Sequence, residues 1–103
     1  MNYQKVLRTL KSDRFIRIKN QSNLFEVGSV IYAKEITENI FLLFVIEKDV
    51  KIQNIKVLIS HFDCLESIGE KEPLQTMFYL SIKDEEDLKY IEKYMKFPHA
   101  TLT

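Results

Sequence analysis

Seven consecutive apolar residues, Ile40 to Ile46, place the tightest limit on how this chain can fold. The run is far short of the ~20 residues that cross a bilayer, and it is rich in β-branched and aromatic side chains (Ile40, Phe41, Phe44, Val45, Ile46), so it predicts a strand with little water on either face. Such a strand needs neighbours on both edges and cover on both sides. The stretch before it, Leu24 to Ile36, supplies one neighbour. The two join at Thr37-Glu38-Asn39, and Gly28 marks a bulge or sharp bend inside the opening strand. Leu24 to Asp49 is therefore the expected centre of the fold.

Further strands are expected on both sides. Arg14 to Lys19 reads as a first strand, with Ile16 and Ile18 directed inward and Arg17 and Lys19 in water. Asn20 to Asn23 is a polar loop. After a connection over Asp49 to Asn54, Ile55 to Ser60 places Ile55, Val57 and Ile59 on one face. His61 to Cys64 reads as a turn, and Leu65 to Ile68 as a brief closing strand. Gln75 to Lys83 alternates, with Thr76, Phe78, Leu80 and Ile82 on one side and Met77, Tyr79 and Ser81 on the other.

The two ends carry helical patterns. Tyr3, Val6, Leu7 and Leu10 recur at i, i+3, i+4 and i+7, the apolar stripe of a short amphipathic helix. At the other end Asp84 can cap a helix whose first turn holds Glu85, Glu86 and Asp87, and Lys93 and Lys96 suit its C-terminal end. Leu88, Ile91 and Met95 form its buried stripe, with Tyr90 and Tyr94 beside it, and Phe97-Pro98 stops it. The expected architecture is α+β: a bent antiparallel sheet or small barrel, an N-terminal helix and a C-terminal strand-helix unit. A chain of 103 residues matches one domain with one core, spanning residues 1–103, with 14–68 as its centre and 75–96 appended.

Residues 14–68 resemble the small SH3-like barrel proteins of phages and mobile elements of low-GC bacteria. RFIRIKN stands as a first strand, FEVGSVIYAKEI as a Gly-containing second strand, and ISHFDCLESI as a closing 3₁₀ turn and strand. The resemblance implies a binding scaffold and carries no functional residue across. Twelve Lys against three Arg, with twelve Ile and two Ala, agree with the coding bias of an AT-rich genome.

Chemistry is sparse. Cys64 is the only cysteine, which excludes an intramolecular disulfide and suits a reducing cytoplasm. The N-terminal stretch lacks the apolar run of a signal peptide, and no membrane segment is expected. His61, Asp63 and Cys64 form the one cluster suggestive of nucleophilic or metal chemistry, but they supply neither a four-ligand spacing nor an evident Cys-His pair. Gly28 and Gly69 lie too far apart for a phosphate loop. No catalytic residue, metal or cofactor is therefore expected, and the chain reads as a non-enzyme.

Charge is polarised instead. The formal net charge is zero, but residues 1–20 hold Lys5, Arg8, Lys11, Arg14, Arg17 and Lys19 against Asp13 alone, while 63–96 carry an acidic excess. Two binding surfaces follow. A protein partner of unknown identity would use Met77, Tyr79, Tyr90 and Tyr94 with the acidic Glu85 and Glu86, because aromatic residues are enriched at interfaces. The alternative is nucleic acid, held by Lys5, Arg8, Lys11, Arg17 and Lys19. The leading expectation is a small protein-binding factor, an inhibitor or accessory factor of a phage or mobile element, with self-association through the edge strand Gln75 to Ile82 as a route to a homodimer.

Overall fold

The computed structural model describes residues 8, 10–12, 14–26, 28–47, 55–82 and 86–87. These build a five-stranded antiparallel sheet of β1 (Ile16–Lys19), β2 (Val30–Thr37), β3 (Ile40–Ile46), β4 (Ile55–His61) and β5 (Gln75–Ile82). The spatial order is β1-β2-β3-β4-β5, so each strand pairs with its neighbour in sequence and β1 and β5 form the two margins. The apolar run is the middle strand.

β2 and β3 are joined by Glu38 and Asn39, and Asn39 takes a left-handed φ of 59°, a conformation that Asn tolerates better than most residues. Asn39 N–H donates to Glu35 Oε2 at 2.9 Å, and the pairing shifts register between Glu35 and Thr37. Beyond that shift the ladder is regular, with Ala33 opposite Leu43 and Ile31 opposite Val45.

Alternation along β3 divides the core in two. On one side, called here the first face, Leu42, Phe44 and Ile46 meet Tyr32, Ile55, Val57 and Ile82, covered by Phe15 and Leu10. On the second face Phe41, Leu43 and Val45 meet Ile31, Ala33 and Leu58, covered by Phe62 and Ile68. An edge-to-face ring pair seals each layer, Phe15 on Phe44 at 5.6 Å and Phe41 on Phe62 at 6.1 Å. Each fully buried side chain of this size contributes about 1.5–3 kcal/mol, which explains why a strand apolar on both sides governs the fold.

Several sequence expectations are corrected. β1 begins at Ile16 rather than Arg14, and Ile16 is 49% exposed instead of inward. Ile18 is half-buried, because cover on the second face reaches it and Gly69 approaches its Cγ2. Leu24 and Phe25 lie in a bend before Gly28, whose φ is 89°, and β2 starts only at Val30. Asn20 is the cause. Its Nδ2 lies 3.2 Å from the carbonyl oxygens of Ser22, Phe25 and Glu26, and its Oδ1 accepts from Ser22 N–H at 3.1 Å, folding the segment into a loop.

Leu65 to Ile68 is not a strand, since Leu65–Ser67 forms a 3₁₀ turn closed by the Ser67 hydroxyl on Asp63. In β5 the register slips: Ser60 pairs with Thr76 while Ile59 pairs with Phe78, leaving Met77 as the extra residue. That bulge turns Thr76 to the second face, where its Oγ1 lies 3.0 Å from Ser60 Oγ.

Arg8 and residues 10–12 are helical, and the helix ends as its capping chemistry dictates. Arg14 is left-handed, with φ 65°, and Phe15 N–H donates to the Leu10 carbonyl at 3.2 Å, the six-to-one bond of a Schellman motif. Leu10 and Phe15 then pack together in the first-face core. Tyr3, Val6 and Leu7 lie outside the described residues. At the other end Glu86 and Asp87 are helical, whereas the rest of the expected C-terminal helix, including Leu88, Ile91 and Met95, lies outside them. The described architecture is thus mostly strand.

Candidate binding surfaces

At the β5 margin the bulge and the alternation of the strand leave Met77 47% and Tyr79 55% exposed. Tyr79 stands opposite Leu58 on β4, on the second face. β5 contains no charged residue. Behind it lies an ion pair: Lys56 Nζ is 2.5 Å from Glu47 Oε1, with the Glu47 side chain only 8% exposed. The hydrogen bond to Glu47 raises the Lys56 ammonium above its ordinary 10.5 against an opposing desolvation, with further support from Tyr79 and Glu26. A fixed ion pair thus sits next to an exposed aromatic.

Of the other residues expected at a protein interface, Glu86 is exposed, and Glu85, Tyr90 and Tyr94 lie outside the described residues. Met77 and Tyr79 stand two positions apart on β5, both exposed.

The basic residues lie on the opposite marginal strand and on the stretch that leads into it. Arg17 and Lys19 project from the first face of β1, paired across the ladder with Tyr32 and Val30, and both are exposed. Arg8 and Lys11 are exposed on the helical stretch that Leu10 anchors to the same face, and Arg14 is exposed between them. Lys5 lies outside the described residues. Two members escaped the sequence-level selection: Arg14, which the helix-ending turn carries into the group, and Lys34, whose ammonium lies 5.6 Å above the Phe15 ring. Lys34 comes from a different strand, so only the β1–β2 register reveals its proximity.

His61, Asp63 and Cys64 fall at the end of β4 and in the turn after it. Ser67, which is buried, donates its hydroxyl to Asp63 and lies 3.3 Å from Cys64 Sγ. That bond is the main reason the exposed Asp63 carboxyl sits below its ordinary 3.8. The cluster closes a turn. Among the described residues no group of three or more His, Cys, Asp and Glu side chains is placed to hold a metal ion, and no helix is long and apolar enough to cross a membrane.

No protein-family model, curated protein or solved structure matches this chain.

Proposed function

We propose that this chain is a non-catalytic protein-binding module whose contact surface is centred on Met77 and Tyr79 of β5. One observation carries the reading: a marginal strand without a charged residue leaves a Met and a Tyr, two positions apart, half-exposed to water. Marginal strands are ordinarily guarded by Lys or Pro, and large apolar side chains left in water there suit a partner that removes them from it. The setting that fits the composition and the reducing-compartment cysteine usage is a cytoplasm, with the module acting as an inhibitor or accessory factor of a mobile element.

The test is a Met77→Ala/Tyr79→Ala double variant compared with the parent in partner capture from nuclease-treated host lysate and in thermal melting. Loss of a captured protein with a nearly unchanged melting temperature supports the interface. A large drop in melting temperature with capture retained assigns the two side chains to packing and rejects it.

A further inference from the structure

We infer that the β1 margin is a second binding site, which takes the phosphate backbone of a polynucleotide strand. This goes beyond the protein-binding surface at β5 and does not depend on it. Arg8, Lys11, Arg14, Arg17 and Lys19 are all exposed, and among the described residues none of the five forms an ion pair. In a chain of zero formal net charge, five exposed cations within twelve positions that have no acidic partner among the described residues stand open to an outside anion.

They fall into two pairs on either side of one turn. Arg17 and Lys19 are two residues apart on one strand face, about 6.6 Å along the strand, comparable with the separation of neighbouring phosphates in a polynucleotide. Arg8 and Lys11 are three apart on the helical stretch and so share one of its sides. The Schellman turn connects the two pairs, and Arg14 occupies its left-handed position. Glycine is the usual residue there, and a side chain costs roughly 1–2 kcal/mol in that conformation. A cation therefore stands where stability alone favours none.

The acidic neighbours narrow the ligand class. Gly69 accepts from Gln21 N–H at 2.7 Å and packs against Ile18, which seats the loop that carries the exposed Glu70 against β1. A flat anionic bilayer approaching the margin would meet this carboxylate together with the cations. A narrow strand of phosphates can follow the first-face side chains of β1 and avoid it. Phe15 is buried, with Lys34 over its ring, so this face offers no stacking platform there and the binding is electrostatic and sequence-tolerant.

The experiment is fluorescence anisotropy of a labelled oligothymidylate with the full chain across a salt series. For single strands log K falls with log salt by about 0.7 per phosphate engaged, so contacts to all five cations give a slope near −3.5. Arg17→Gln/Lys19→Gln, both exposed and expected to fold, should weaken binding about tenfold at low salt and reduce the slope by about 1.4. Arg8→Gln/Lys11→Gln should act similarly, and Met77→Ala/Tyr79→Ala should change nothing. Absence of binding at low salt, a salt-independent affinity, or parental affinity in both cation-deleted variants overturns the inference. So does stronger partitioning to phosphatidylglycerol vesicles that excess oligonucleotide fails to reverse.

Discussion

Lys56 Nζ lies 2.5 Å from Glu47 Oε1, tying the residue that follows β3 to the second residue of β4. Glu47 is nearly buried while Lys56 keeps partial contact with water, so the pair stands between a surface bridge and a core one. Glu47→Gln should cost about 1–2 kcal/mol in urea denaturation, above a surface pair and below a fully buried one. The pH dependence has a definite sign. The folded-state value of Lys56 is raised above 10.5, so its contribution is complete below 10.5 and is lost as pH rises through the higher folded-state value. The stability difference between parent and Glu47→Gln should therefore shrink in strongly alkaline solution and hold constant from neutrality to about pH 9. A difference that instead vanished near neutrality would sink this account.

Asn20 should be among the most sensitive polar positions. Its amide faces three carbonyl oxygens with two hydrogens, so at least one hydrogen is shared, and its Oδ1 also accepts the Ser22 hydroxyl at 2.7 Å. Asn20→Ala leaves those carbonyls to find other donors and should lower stability by about 2–3 kcal/mol. Asn20→Asp preserves the acceptor and turns the donor into a charge facing carbonyl oxygens, so it should be at least as damaging at neutral pH. Chemical denaturation of the two variants gives the comparison, and an innocuous Asn20→Asp would contradict it.

Gly69 carries a backbone requirement and a steric one together. Its φ is 82°, and a Cβ would sit 3.0 Å from Ile18 Cγ2 and 3.3 Å from the Lys19 carbonyl oxygen. Gly69→Ala should cost about 2 kcal/mol or more, because the left-handed penalty adds to a contact with backbone that cannot easily yield. Amide exchange should also quicken at Gln21, whose N–H donates to Gly69. Unchanged exchange there would mean that the 69 loop and the 20s loop are not coupled.

Arg14 offers a substitution in the opposite direction. Glycine at this left-handed position relieves a penalty of about 1–2 kcal/mol and gives back part of it through unfolded-state entropy. Arg14→Gly should raise stability by about 0.5–1 kcal/mol, read as a higher melting temperature. It should also weaken oligonucleotide binding. A more stable protein with weaker phosphate affinity would identify Arg14 as a residue held for charge and not for folding.

Much of the sheet is readable from local pattern. The run at residues 40–46, the turn at Glu38-Asn39 and the alternation of β4 and β5 follow from periodicity, because a doubly buried strand and its neighbours have few other ways to satisfy both apolar faces. The exposure of Arg17, Lys19, Met77 and Tyr79 likewise agrees with their placement on strand faces. Ile16 could not be read this way, since its exposure depends on how far the cover over the second face extends toward a marginal strand.

What the sequence determined by itself is the five strands of the sheet, though not their limits nor the turn at Leu65 to Ser67, and the division of basic from acidic segments, all of which depend on residues a few positions apart. Tertiary structure alone decided that Asn20 draws residues 22–26 into a loop in place of an extended strand. It also decided that Met77 is bulged, that Glu47 finds Lys56, and that Arg17 and Lys19 share the first face of β1 with no ion pair among the described residues. Each of those outcomes rests on a hydrogen bond, register or burial set by groups that folding brings together, and such energies have no signature in local spacing.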